Sequence, residues 1–426
     1  MTINGIWTWA STLAQEIPAS GLRNKTLAID GHIWIYESLK GCETHHQSNP
    51  NSFLVTFYNR IQRLRELKVT PIVVFDNIAA NSSSGIDQDA FVPRKRRSVG
   101  GTHFTNLEDH VFKANTLLSY LGIQVIISYG DGEAQCAHLE SLGLTSGCIT
   151  SDFDYFLFGG TNLYRFDFNG GSNSVVTHLS MGRMSVEKKV TRSHLISTAI
   201  LLGCDYYQQG VVGVGISAVF DILAEFGDED RFDVDPHVIL DRFVSYVRGE
   251  VPARSEDSER KLRLRRKKYN FLREFPNSTA VENAIRMYMS PAVSQPTSIS
   301  PKPANIPKVE QLLMNECGWS EQKMRKNVMT SMKRTRENAN MVMQTRIPEF
   351  FSTTRKRNLA AAITEPCTSL DEYISANNQW VSKRKSESPP SKTTRKSRNI
   401  AQERLRSDRI FTRHKESDDV IDLDSD

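Results

Sequence analysis

Leu27–Trp34 reads LAIDGHIW, and Pro71–Asn77 reads PIVVFDN. Each is a short apolar run with β-branched residues that stops on an aspartate. Two further runs behave alike, so strands are expected over Thr26–Ile29, Thr70–Phe75, Ile123–Ser128 and Cys148–Thr150. Helical patterns alternate with them. Ile33–Leu39 follows the first, Phe53–Leu67 places Leu54, Phe57, Tyr58, Ile61 and Leu64 on one face, Leu107–Leu121 leads into the third, and Glu133–Leu142 follows it. Strands alternating with helices imply an α/β fold with a mostly parallel central sheet flanked by helices. Continuous apolar runs, as opposed to alternating ones, fit strands buried on both faces.

The carboxylates fall where such a sheet concentrates chemistry. Asp30 and Asp76 follow the first two strands, Asp131 and Glu133 lie beyond the third (SYGDGEAQ), and Asp152 and Asp154 follow the fourth (CITSDFDYFLFG). In a parallel sheet all of these share the carboxyl edge, where open α/β sheets bind ligands. Asp205, in AILLGCDYY, ends an apolar helix pattern and is expected at the same edge. One aspartate after a strand is ordinary turn or N-cap chemistry. The spaced pairs Asp131/Glu133 and Asp152/Asp154 are harder to explain that way. Like charges about 4 Å apart repel by roughly 1–4 kcal/mol, so such a cluster calls for cations. Oxygen donors without His or Cys favour Mg²⁺ or Mn²⁺. Two such ions suit hydrolysis of a phosphodiester.

Composition is compatible with that reading. The net charge of +5 averages over opposed blocks, basic at Arg94–Arg97 and Arg260–Lys268 and acidic at Asp418–Asp426. Basic blocks suit a polyanion through counterion release. None of the six cysteines stands at CxxC spacing, which excludes a zinc ribbon of that kind. No stretch reaches the roughly 18 apolar residues of a membrane helix, and no leader pattern opens the chain. The expected setting is reducing, without membrane contact.

The blocks GIWTWA…IPASGLRNKTLAIDGHIWIY, SYGDGEAQCAHL, TSDFDYFLFG and LLGCDYYQQGVVGVG resemble, in order and spacing, the XPG/flap-endonuclease family of structure-specific nucleases. The resemblance implies a PIN-like nuclease core. It makes Asp30, Asp76, Asp131, Glu133, Asp152, Asp154 and Asp205 the catalytic metal-site acids for two Mg²⁺ ions, with Mn²⁺ able to substitute. Asp30, Asp76 and Glu133 would lean to one ion and Asp152, Asp154 and Asp205 to the other, with Asp131 between them. Gly210, Gly213 and Gly215, before a helix over Ile216–Phe226, resemble the family's helix–two-turn–helix, which holds a duplex phosphate and often K⁺. Three departures stand out: Asp131-Gly132-Glu133 replaces the usual Glu-Ala-Glu, Ile216 stands where a lysine is common, and Thr2 where a glycine is usual.

The interval between Asp76 and Leu107 is too short for a full helical arch, which favours the GEN-type (Yen/GEN) Holliday junction resolvase branch. Arg94 and Arg97 would then stand near the scissile phosphate, with Lys95, Arg96, Lys261, Arg263, Arg265 and Arg266 as further DNA contacts. Expected substrates are Holliday junctions, 5′ flaps and forks, and a monomer would pair up on four-way junctions. Two alternatives stay open, a flap endonuclease or 5′ exonuclease of the same family and a catalytically silent junction binder.

The expected organisation is an N-terminal nuclease block over 1–100, an internal block over 101–205 and a helical DNA-binding region over 206–290. A linker and helical segment over 291–351 would follow, then a disordered tail over 352–426. Gln344, Ile347, Phe350 and Phe351 fit a sliding-clamp box, or equally a segment that packs on the core. Val420, Ile421 and Leu423 resemble a SUMO-interacting strand, and the clusters Lys383–Lys385 and Arg395–Arg398 suit import into the nucleus.

Overall fold

The computed structural model describes residues 3, 5–44, 49–76, 107–168, 174–227, 234–272, 274–295, 299–300 and 302–327, with backbone alone for 42–44. Arg94–Arg97, the clamp-box residues Gln344, Ile347, Phe350 and Phe351, and the acidic strand Val420, Ile421 and Leu423 lie outside the described residues. The described residues fall within the compact unit Met1–Tyr373.

Seven strands form one sheet: β1 (Gln15–Pro18), β2 (Thr26–Asp30), β3 (Thr70–Phe75), β4 (Gln124–Ile127), β5 (Cys148–Ile149), β6 (Asn162–Phe166) and β7 (Val175–Ser180). Their order is β1-β7-β6-β5-β2-β3-β4. The four expected strands are β2, β3, β4 and β5, and they lie side by side with every pairing parallel. β6 continues the parallel set beside β5, and β7 and β1 close that side antiparallel. β1, β6 and β7 escaped the sequence reading because their pattern is mixed. In β1 only Ile17 is even half-buried, and in β7 buried Val176 and Leu179 are set irregularly among half-buried residues and an exposed Val175. β2 and β3, by contrast, are buried at every residue but the first.

The helices expected around the sheet form close to their predicted limits, at Gly31–Thr44, Phe53–Glu66, Leu107–Tyr120 and Gly132–Ser141. Helix Phe53–Glu66 buries Leu54, Phe57, Tyr58, Ile61 and Leu64, the face read from its periodicity. These side chains join Trp34, Phe75, Leu117 and Leu118 in one apolar core. Fully burying each is worth about 1.5–3 kcal/mol.

Two segments differ from expectation. The basic stretch 251–268, expected to be irregular, contains the helix Glu259–Arg266, which Ser258 caps by accepting from the Lys261 amide at 3.0 Å. Arg260 and Arg263 pair with Glu225 and Asp221 of helix Ile216–Phe226, Lys261 with Asp257 just before its own helix and Arg266 with Glu259 within it, which offsets the repulsion a free basic helix would suffer. The segment Ser290–Pro307, expected as a linker, is irregular at its described residues up to the helix Ile306–Cys317, and several of these are pinned. The Gln135 side chain donates to Ser294 O and accepts from both Ser294 N and Oγ. Ser300 N donates to Gln124, and Asn305 N to Tyr120 O. The segment therefore covers the β4 side of the sheet, and the helix after it buries Val309 and Leu313 in the nuclease core.

Candidate active site

Because β2, β3, β4 and β5 run parallel, their carboxyl ends open on one edge. Asp30 is the last residue of β2, Asp76 the first after β3, and Asp131 the N-cap of helix Gly132–Ser141 beyond β4. Asp152 and Asp154 lie at the turn after β5, and Asp205 lies just past helix Arg192–Leu202. Asp30, Glu133, Asp152, Asp154 and Asp205 are buried. Five buried carboxylates in one region are costly unless something compensates them.

The compensation is partly visible. Asp30 Oδ1 accepts from the Ile33 amide at 3.1 Å, and Oδ2 accepts from the Thr150 hydroxyl at 3.3 Å. Thr150 Oγ1 in turn accepts from the Asp152 amide at 3.0 Å, and Asp152 Oδ1 accepts from the Asp154 amide at 3.1 Å. The Tyr288 hydroxyl donates to Asp154 Oδ2 at 3.0 Å, bringing in a fully buried ring from helix Thr279–Met289. On the other flank, Asp76 Oδ1 accepts from the Gly132 amide at 2.8 Å, and the Asp76 amide donates to His32 Nδ1 at 3.1 Å. That acceptor role leaves the proton of a neutral His32 on Nε2.

The electrostatics confirm that these side chains share one field. Burial first, then Glu133 and Asp76, push the Asp30 carboxyl well above the usual carboxylate range; the Ile33 amide opposes the shift and Asp152 adds to it. Burial and then Asp154, helped more weakly by Asp205, push the neighbouring Cys204 thiol up to about 12. Glu133, Asp76 and Asp152 thus all act on Asp30, and Asp154 and Asp205 both act on Cys204. Among the described residues no three His, Cys, Asp or Glu side chains close round one point at ligating distance. The donors fit a hard divalent cation in kind and in charge. Coordination requires their side chains to turn inward.

Sequence reasoning did not single out four residues of this network: His32, Thr150, Gln135 and Tyr288. His32 and Thr150 sit inside the quoted motifs, so proximity to Asp30 and Asp152 was a usable signal. Tyr288 and the Ser294 clasp on Gln135 come from the far end of the helical region and carried no signal.

Tyr288→Phe keeps the ring and removes one donor from a buried carboxylate. The expected loss is about 1–3 kcal/mol of stability, with a severalfold rise in the Mg²⁺ concentration needed for half-maximal incision. Thermal melts with and without Mg²⁺, beside a metal titration of activity, check both. An unchanged metal requirement would confine Tyr288 to packing.

The predicted phosphate loop lies between helices Arg192–Leu202 and Ile216–Phe226. Gly210 has φ 56°, and a Cβ there would meet Gly203 N and Leu202 C at 2.8 Å, so glycine is required. Gly213 has φ 96°, and Gly215 is the exposed N-cap of the second helix. The cations of the basic helix are engaged. Lys261 pairs with Asp257 at 2.9 Å, Arg263 with Asp221 at 2.9 Å and Arg266 with Glu259 at 3.1 Å, while Arg265 donates to Val251 O at 2.9 Å.

Residues 1–127 match the XPG N-terminal domain, and residues 122–205 match the XPG I-region. Residues 1–205 thus carry both XPG nuclease domains. Together those regions hold all seven acids, from Asp30 to Asp205. Human Flap endonuclease GEN homolog 1 is 30% identical over 225 residues, which are 50% of this chain and 24% of the human protein. The matched region is therefore about a quarter of that relative's length. The catalytic core of Rad2 in complex with DNA substrate superposes with a TM-score of 0.59 at 25% identity, covering 77% of this chain and 98% of that one. The Holliday junction-resolving enzyme GEN1, solved with product DNA and a Mg²⁺ ion, shares the fold with a TM-score of 0.56 at 20% identity, covering 78% of each chain.

Proposed function

We propose that this chain is a divalent-metal-dependent, structure-selective DNA endonuclease of the GEN type. The observation that carries the proposal is the gathering of Asp30, Asp76, Glu133 and Asp152 at one sheet edge, where burial first and then the other three acids raise the Asp30 pKa. Asp30, Asp76 and Glu133 would hold one Mg²⁺ and Asp152, Asp154 and Asp205 a second, with Asp131 between. Such ions, when bound, supply a nucleophilic water and charge on the leaving oxygen. The chain's own part is to fix the ligands. Thr150 holds Asp30 and the Asp152 turn, His32 and the Gly132 amide hold Asp76, and Tyr288 holds Asp154.

The substrates in this reading are Holliday junctions, 5′ flaps and forks, cut to leave a 5′-phosphate, with two copies assembling on a four-way junction. Gly210, Gly213 and Gly215 would present backbone amides to a duplex phosphate, with K⁺ in the loop. Exposed Arg263 and Arg266 would reach DNA from positions already shared with Asp221 and Glu259. Arg94 and Arg97 would flank the scissile phosphate. Clamp binding through Gln344–Phe351, a SUMO contact through Val420–Leu423 and work in the nucleus belong to the same proposal. So does the division into nuclease blocks over 1–100 and 101–205, a helical region over 206–290, a linker and helical segment over 291–351 and a tail over 352–426.

Purified protein with Mg²⁺, a mobile four-way junction and a 5′ flap tests it. Paired symmetric incision of the junction supports the GEN-type reading. Flap cutting alone supports an ordinary flap endonuclease, and binding without cutting supports a silent junction binder.

A further inference from the structure

Asp154, Asp205 and Tyr288 belong to three elements far apart in sequence, and one arginine ties these elements together. Arg192 opens helix Arg192–Leu202, which runs on to Cys204 and Asp205. Its Nε donates to Leu157 O at 2.7 Å, at the end of the helical turn Asp154–Leu157. Its Nη2 donates to Tyr288 O at 2.5 Å, near the end of helix Thr279–Met289. Both carbonyls lie in a last helical turn, where no donor of the same helix remains. The three elements also meet through their rings. Phe158 lies 5.1 Å from Tyr288, and Tyr206 stands edge-on to Tyr288 at 5.1 Å.

The tie is not an ion pair. Burial alone holds the Arg192 pKa below the usual guanidinium value, with no acid acting against it. The guanidinium packs on Gly159, where a Cβ would stand 3.3 Å from its Cζ and Nη1. A buried charge held only by carbonyls stabilises a fold weakly, because its desolvation offsets the hydrogen bonds. What it does fix is direction, since a rigid planar fork sets two acceptors at one spacing and angle. Tyr288 in turn donates to Asp154 Oδ2 at 3.0 Å. Arg192 thus holds the helical turn of the acid and the backbone of the acid's hydrogen-bond donor at once.

We propose that Arg192 is a positioning residue for the metal-site acids, keeping Asp154 and its partner Tyr288 in the arrangement a divalent cation needs. The proposal rests on the nuclease reading above.

The test uses the full chain, with Arg192→Met to keep the apolar stem and Arg192→Lys to keep the charge without the fork. In EDTA, Arg192→Met should melt within a few degrees of wild type, because a buried charge and its two hydrogen bonds leave together. The Mg²⁺ concentration giving half of the metal-induced melting shift should rise about tenfold, the lower end of the range for groups that orient metal ligands. The same rise should appear in a Mg²⁺ titration of incision, with the KM for branched DNA unchanged. Arg192→Lys should fall between Arg192→Met and wild type. Arg192 and Tyr288 act on one carboxylate, so Arg192→Met combined with Tyr288→Phe should raise the requirement by less than the product of the single effects. An unchanged Mg²⁺ half-point in a folded variant, or a fully multiplicative pair, reduces Arg192 to a packing staple and overturns the proposal while leaving the nuclease reading intact. If Arg192→Met does not fold, Arg192→Lys carries the same measurement, and a wild-type half-point overturns the proposal. If the wild-type chain cuts no branched DNA, the nuclease reading fails and the melting arm decides alone. A weakened Mg²⁺ shift in Arg192→Met then sustains the positioning role, and an equal shift, or none in wild type, removes it.

Discussion

Asp30→Asn should lower incision of branched DNA by about a thousandfold or more, the scale on which a metal-centred charge contributes to phosphoryl chemistry. The same substitution should make the metal-free protein more stable. Asp30 is only 2% exposed and is surrounded by Glu133, Asp76 and Asp152. Whether ionised or protonated, this buried carboxyl costs the fold either charge repulsion or the proton it must take up, and a neutral amide carries neither cost. The neutral amide still accepts from Ile33 and still meets Thr150, so little hydrogen bonding is lost. The sign of the pH dependence follows from linkage. The folded Asp30 pKa is raised, so above the ordinary carboxylate value of about 3.9 the folded state keeps a proton that the unfolded chain has released. Stability therefore falls as pH rises through that window, and the Asn variant should lose this contribution. Melting curves from pH 4 to pH 8 in EDTA, then in Mg²⁺, read both effects. Mg²⁺ should raise the wild-type melting temperature more than the variant's. A variant that is less stable than wild type in EDTA, or one that retains activity, would sink the shared-field account of the acids.

Gly132→Ala should cut activity about a hundredfold without unfolding the protein. Gly132 begins a helix, where alanine is ordinarily favoured by up to about 1 kcal/mol. Here a Cβ would stand 2.7 Å from Asp76 Oδ1, the atom that accepts from the Gly132 amide. The carboxylate must move, because the backbone on either side is packed. A displacement of about an ångström at a catalytic ligand is enough for a loss of that size. The departure from the family's Glu-Ala-Glu block thus has a local reason: the shorter Asp131 and the missing methyl at Gly132 accompany an Asp76 that bonds directly to the helix N-terminus. Unchanged melting with reduced kcat is the expected result. Unchanged kcat would mean that Asp76 has room to yield and is not a tightly placed ligand.

β2, β3, β5 and the helices between them were legible in the sequence because these strands are buried on both faces, so their apolar runs are unbroken; β4 was legible from the same kind of run although it is only half-buried, with Ile127 exposed. Asp30, Asp76, Asp152 and Asp154 stand out in the sequence for a related reason, since a parallel sheet sends its strand ends to the same edge, whereas Asp205 follows a helix. β6 was not legible: NLYRF mixes an exposed Arg165 with buried Leu163 and Tyr164, and its pairing with β5 and β7 makes it a strand. The basic run at 260–268 showed its charge but not its partners, because Asp221 and Glu225 lie on a different helix and are met only through packing.

The sequence by itself determined the fold class and the order of the two XPG domains, because these depend on local burial and on motif order along the chain. Tertiary structure alone decided which neighbours hold those acids. Tyr288 reaches Asp154 across 134 positions, and Ser294 reaches Gln135 across 159. Contacts of that separation leave no periodic trace in a chain, since they depend on how whole elements pack.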